Sequence, residues 1–258
     1  MATQEEAKAQ AKQFAKDLIK RSRDFADEFT EEIYGDAPRP MQGEALISLL
    51  RTNMWREYML GCQAPAKLMT LIPDEHVDLK YLLAGQVADE MRHSQTFKAR
   101  VEQLGGDGKL LHYEPTEEDW QLYYSTVDFD DPAELVASLN CTGEVVLQQT
   151  LKRLAERREG QPAVLDDETA DIIEREIVYE DEDEELSSVV DEETARVLQE
   201  NVIPDEGEHV KIGRLILQRF ATTPEIQARC EEIQKRKFEA LTASHGRSMA
   251  DARKFFDS

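Results

Sequence analysis

Residues 89–93 read Asp89-Glu90-Met91-Arg92-His93, and residues 205–209 read Asp205-Glu206-Gly207-Glu208-His209. Both are Asp-Glu-x-x-His. On a helix, a Glu at i and a His at i+3 lie on one face about a turn apart, so both can address the same ion. The chain is rich in glutamate, and a single Glu-x-x-His pair would carry little weight. Two copies among five histidines, each with the same aspartate in front, arise by chance roughly one time in a thousand.

Working outward from these pairs, the chain reads as all-α. It has 12 Gly and 9 Pro, with no clear alternating apolar run and no Asn-Gly hairpin turn. A first core helix is expected over 42–64, where Pro65 should kink or end it. A second spans 73–105 and carries the first motif, stopping at Gly105-Gly106. The polar stretch from there to Asp130 is long enough to cross the length of a bundle. A third helix starts at Asp131-Pro132, an N-cap followed by proline, and runs to Arg158. The fourth spans 191–220 and carries the second motif, with Pro204 in its interior, where a local kink or widened turn is expected.

An amphipathic stretch over 3–34, with Ala7, Ala11, Phe14, Leu18, Phe25 and Phe29 on one stripe, reads as a peripheral arm closed by Gly35-Asp36-Ala37-Pro38-Arg39-Pro40. A last helix is expected from Thr223-Pro224 to Gly246. The dense acids of 166–187 read as a solvated insertion between the third and fourth helices. The expected organisation is an N-terminal helical arm (1–40), a di-metal four-helix bundle (41–222), and a C-terminal helix and tail (223–258).

The remaining ligands follow from register. In an antiparallel helical hairpin, residues equidistant from the turn lie side by side, which sets Glu57 beside Glu90. Glu144 is equally placed against Glu206 if 159–190 is an excursion. Glu176 is the alternative ligand, equidistant with Glu206 from a turn near Asp191. Glu144 is preferred because a lone carboxylate among Asn140, Cys141, Thr142, Gly143 and Val145 must be compensated, and a metal does that. The set is then Glu57, Glu90, His93, Glu144, Glu206 and His209: two glutamates from two helices and two Glu-x-x-His pairs from the others, as in a carboxylate-bridged dinuclear site. Four carboxylates and two imidazoles suit two iron ions, with manganese the alternative, and not a zinc thiolate site. Asp89 and Asp205 are placed to accept the free imidazole N–H of the opposing motif's histidine, and Arg92 to hold one of them. No catalytic residue beyond the ligands stands out. Cys141, Trp55 and Tyr58 read as packing residues, and His76, His112 and His245 as solvent-facing.

These residues resemble the ferritin-like di-iron carboxylate superfamily. Asp89-Glu90-Met91-Arg92-His93 is similar to the Asp-Glu-x-Arg-His signature of bacterial multicomponent monooxygenase hydroxylases and the phenylacetyl-CoA epoxidase group. The resemblance spans roughly 42–220 and implies a ferritin-like four-helix bundle with an O₂-activating cluster on the same six ligands. Departures are the shorter chain, the missing Arg in the second motif and the acidic insertion. The expected function is a non-haem dinuclear iron oxygenase or oxidase acting on O₂ and a small organic substrate. A reductase or other electron donor is implied, since no flavin, nicotinamide or iron–sulfur motif is present. The alternative is a ferroxidase, an iron-handling ferritin-like protein.

Composition sets the outer limits. With 31 Lys+Arg against 54 Asp+Glu, the net charge is −23, which disfavours nucleic acid and anionic membrane surfaces as partners. Mean hydropathy is −0.59 and no apolar run approaches a membrane span. The N-terminus has no apolar signal core, so the expected compartment is the cytoplasm. Cys62, Cys141 and Cys230 are too scattered for a disulfide framework. A homodimer is the expected assembly, and a halophilic source is one reading of the acidity.

Overall fold

Helix caps written into the sequence set where the chain turns. Thr116 opens a helix through a reciprocal capping box with Asp119, and Asp131 accepts from the backbone N–H of Ala133 at 2.8 Å with Pro132 in the first turn. Asp191 and Thr223 cap two further helices in the same way. The computed structural model describes residues 4–37, 40–155 and 188–256. Its helices are α1 (Gln4–Tyr34), α2 (Gly43–Arg56), α3 (Gln63–Leu71), α4 (Val77–Gln103), α5 (Glu117–Val127), α6 (Pro132–Ser138), α7 (Glu144–Ala155), α8 (Glu192–Asn201), α9 (Ile203–Phe220) and α10 (Pro224–Arg253). The class is all-α. Among the described residues extended structure is limited to one isolated bridge, Met41 to Val190.

Several expected boundaries move, for local reasons. Pro65 ends nothing: it sits in the first turn of α3, where its missing N–H has no partner to lose. The chain turns instead at Ile72-Pro73, where Ile72 becomes extended. Pro204 marks a break rather than a kink, since Val202 leaves helical geometry and the proline lies in the first turn of α9. The final helix runs past Gly246 to Arg253. The polar connection after Gly106 contains α5, through the Thr116 box. The acidic insertion of 166–187 and the alternative ligand Glu176 lie outside the described residues.

Two π-turns interrupt the first and third expected core helices. One covers Glu57–Gly61 between α2 and α3, and the other Leu139–Gly143 between α6 and α7. A π-turn adds a residue to the helical cycle and frees a carbonyl nearby, and such turns concentrate at functional sites. Here Glu57 opens the first and Glu144 directly follows the second. The second is buttressed from outside: Ser22 of α1 donates to the Cys141 carbonyl at 2.7 Å, and Gln234 of α10 donates to Ser22 at 2.8 Å.

Those contacts show what α1 and α10 do. Both stand inside the core, and the expectation of a peripheral arm is corrected. Ala11, Phe14, Leu18 and Phe29 of α1 are buried, with α1 against α7 and α9. α10 packs on α2, α5 and α6. The apolar interior divides into two clusters. One holds Leu50, Met54, Phe97, Val101, Leu151 and Leu198; the other holds Leu68, Leu79, Leu83, Leu135, Val145 and Ile216. Along α4 the change from one cluster to the other falls between Leu83 and Phe97, and along α8–α9 between Val202 and Val210. Glu90 and Glu206 lie in those intervals, so the two motifs form a polar layer between two apolar halves.

Candidate metal centre

α4 supplies Glu90 and His93, α9 supplies Glu206 and His209, and the two π-turns deliver Glu57 and Glu144. All six are at most 4% exposed, and Glu90 and Glu206 are fully buried. They form two overlapping groups, Glu57/Glu90/His93/Glu206 and Glu90/Glu144/Glu206/His209. Within each group the ligand atoms lie within 4.8 Å of one another. Glu90 and Glu206 belong to both, the arrangement of two ions sharing two carboxylates.

Both imidazoles turn Nδ1 inward. His93 Nδ1 lies 3.3 Å from Glu206 and 3.5 Å from Glu90, with Glu57 at 4.0 Å. His209 Nδ1 lies 3.0 Å from Glu90 and 3.2 Å from Glu206. Nε2 points the other way in each case. His93 Nε2 meets Asp205 at 3.1 Å, and His209 Nε2 meets Asp89 at 3.5 Å. Each aspartate therefore faces the histidine of the opposite motif. A carboxylate accepting the Nε2 proton leaves the Nδ1 lone pair facing the cluster. Arg92 bridges both aspartates, at 2.9 Å to Asp89 and 2.7 Å to Asp205.

The electrostatics describe an acid-rich cluster balanced by protons. Burial, then the neighbouring Glu90 and Glu206, push Glu57 and Glu144 well above the usual carboxylate range. Burial acts in the same sense on Glu90 and Glu206, yet the close His209 and His93 rings hold Glu90 low, and the same rings lower Glu206 against Glu90's repulsion. Burial opposes charge on His93, but Glu206 and Glu90 overcome it and raise its pKa to about 11; His209 is raised as well, with Asp89 contributing. Both Glu90 oxygens, Glu206 Oε1, His93 Nδ1 and His209 Nε2 are buried without a hydrogen-bond partner among the described residues, so of the two aspartates Asp205 is within hydrogen-bond reach of its histidine and Asp89 stands slightly off. Two divalent cations would neutralise four carboxylates, and would have to displace protons from the imidazoles and the outer acids as they bound. The donor set fits a pair of such ions.

Three features lie beyond the motifs. Gly61 makes room for the cluster, because a Cβ there would lie 2.5 Å from Glu90 Oε2 and force that side chain to shift. Gln86 donates to Glu144 Oε1 at 3.3 Å, and Asn140 donates to Gln86 Oε1 and to the His209 carbonyl, each at 2.9 Å. The sequence signal for the pair was available: Gln86 stands four residues before Glu90, and Asn140 four before Glu144. Third, a pocket of about 200 Å³ is lined by Met54, Tyr58, Ser94, Gln95, Lys98 and Leu110 among others. Tyr58 and Ser94 directly follow Glu57 and His93. Of the histidines expected to face solvent, His245 does not: it is buried and bonded to the Tyr34 hydroxyl at 2.8 Å. His112 is exposed beside Asp107.

No family model matches the chain, and no curated protein matches it. Among solved structures it is similar to the X-ray structure of a TenA homologue from Pyrococcus furiosus, with a TM-score of 0.62 and 16% identity over 90% of this chain and 99% of that one. The fold is therefore an all-α, TenA-like one with a buried carboxylate–histidine cluster. This corrects the ferritin-like four-helix bundle and the kinship with multicomponent monooxygenase hydroxylases and the phenylacetyl-CoA epoxidase group. The physical reason is that Glu-x-x-His pairs report a helix face, a local property, whereas α1 and α10 complete the core and define the architecture. The di-iron oxygenase or oxidase reading and its ferroxidase alternative rested on that kinship and are corrected with it. Among the described residues, no helix is long and apolar enough to cross a membrane.

Proposed function

We propose that the chain is a metal-dependent enzyme whose buried centre holds two divalent first-row cations and serves a small-molecule substrate. The observation that carries this reading is the convergence of six buried ligand side chains into two four-residue groups sharing Glu90 and Glu206. Manganese and iron are the ions this oxygen-rich set with two imidazoles suits best. When bound, such a pair acts as a Lewis acid on a substrate oxygen or a coordinated water.

The protein's own contribution is placement. Glu90 and Glu206 are the shared ligands; Glu57 and His93 complete one subsite, Glu144 and His209 the other. Asp89 and Asp205 fix the ring orientations, and Arg92 ties the two aspartates together. The apolar layers on either side exclude water and strengthen each interaction within the centre. The pocket beside Tyr58 and Ser94 is the proposed approach for substrate, on the Glu57 side.

Elemental analysis of the purified protein tests this directly. Two equivalents of manganese or iron per chain are expected for the wild type after reconstitution, and less than one for Glu90→Ala or His209→Ala. Two ions retained by either variant would overturn the assignment.

A further inference from the structure

The two subsites are built on similar plans that differ in the groups behind their ligands. Each has a glutamate at one end of a π-turn, a Glu-x-x-His pair and an aspartate behind the histidine. Each outer glutamate also has an asparagine four residues before it, Asn53 for Glu57 and Asn140 for Glu144. The plans diverge four residues before the shared glutamates. Gln86 precedes Glu90 on α4, and its counterpart before Glu206 is Val202. Gln86 is buried, and its amide is held at both ends, donating to Glu144 and accepting from Asn140. Asn140 is anchored in turn on the backbone of His209, the other ligand of the same subsite. Val202 is equally buried but brings no hydrogen-bonding side chain to the Glu57 half.

Resting on the dinuclear reading, we propose that Gln86 makes the centre asymmetric: the Glu144/His209 subsite is preorganised and takes up its divalent ion first, and the Glu57/His93 subsite fills second. A ligand already held by a fixed amide loses less conformational freedom on binding, and partners behind the ligands typically change metal affinity about 10- to 100-fold. The half that fills last is the half beside the pocket. Its ion is the more exchangeable of the two and the one next to arriving substrate.

The test is a titration of the full chain with Mn(II), followed by calorimetry and electron paramagnetic resonance. The wild type should show two steps separated by about tenfold or more, with an uncoupled Mn(II) spectrum at one equivalent and a coupled pair at two. Glu144→Gln should abolish the tight step, Glu57→Gln should preserve it, and Gln86→Leu should weaken it by about tenfold toward the second. The two carboxamide variants match the native side chains in size, so the result does not hang on how Gln86→Leu packs. A coupled pair from the first equivalent would overturn the asymmetry while leaving the dinuclear reading intact. So would loss of the tight step in Glu57→Gln, or an unchanged tight step in Gln86→Leu. Absence of Mn(II) binding altogether would overturn both.

Discussion

Arg56 and Glu57 are neighbours in sequence and belong to two buried clusters of opposite composition. Glu57 joins an acid-rich group of four carboxylates and two imidazoles whose inward-facing atoms include several without hydrogen-bond partners. Arg56 joins a base-rich group with Lys237 and His245, in which one acid, Asp119, is saturated. Asp119 accepts from Arg56 at 3.2 Å, Ser244 at 2.7 Å, Tyr113 at 2.8 Å and the Thr116 backbone at 3.1 Å. Lys237 donates to Thr126, and His245 is paired with Tyr34. The basic cluster is organised around an acceptor the protein supplies, reached through Arg56 Nη2, while Arg56 Nε and Nη1 have no hydrogen-bond partner among the described residues. The acidic cluster is balanced by protons on its imidazoles and outer acids and, on the proposed reading, exchanges them for cations that come from outside. Burial of charged groups would thus have two uses in one molecule, structural on the α5–α10 side and, as proposed, ligand-holding between α4 and α9.

Substitutions should separate the two. Asp119→Ala leaves Arg56 buried without its counter-charge and should destabilise the protein by about 3–5 kcal/mol, measured by chemical denaturation. Burial opposes ionisation of Asp119, but Arg56 and the three hydrogen bonds keep its pKa below the usual range. Its stabilisation is therefore present above that range and lost as pH falls through the folded value. The acidic cluster should respond with the opposite sign. Glu57→Gln in chelator-stripped protein should leave stability unchanged or raise it by about 1–3 kcal/mol, because a buried, mutually repelled carboxylate is removed. A loss as large as that of Asp119→Ala would erase the distinction.

Lys237 gives a smaller, pH-dependent effect. Burial drives its pKa down to about 7, against the pull of Glu144. With the folded value depressed, the unfolded chain binds more protons between about 7 and the ordinary lysine range. Stability should therefore rise with pH across that window. Lys237→Met should flatten this slope and raise the melting temperature at pH 7 by a few degrees, roughly what 1 kcal/mol gives in a domain of this size. The smallest expected stability change is that of Arg92→Gln. Arg92 is half exposed, so the loss should stay under about 1 kcal/mol, while metal affinity falls because both aspartates lose their tie.

The six residues singled out by spacing and register are the six that meet in the centre, because helix periodicity and hairpin equidistance are local rules that tertiary packing preserves. The aspartate-to-histidine pairing across motifs was legible for the same reason. Architecture was not. The stripe of Phe14, Leu18 and Phe29 was visible, but a stripe does not say which neighbour covers it, and α1 was read as an arm when it closes the core. The π-turns left no break in the apolar pattern around Glu57 and Glu144, so the two helices read as continuous. Gln86 and Asn140 looked like ordinary polar residues until packing put them behind Glu144. The resemblance carried by the motifs stretched a local likeness into a fold, and the TenA-like architecture corrects it.

On the proposed reading, the layer between the two apolar halves is a dinuclear metal centre. A crystal of the full chain grown with Mn(II), with anomalous diffraction recorded at the manganese edge, tests it most directly. Two peaks about 3.5–4 Å apart are predicted, one against Glu57 and His93, the other against Glu144 and His209, with Glu90 and Glu206 between them. A map with no peak at these residues, at Mn(II) concentrations that saturate other dinuclear carboxylate sites, would contradict the account.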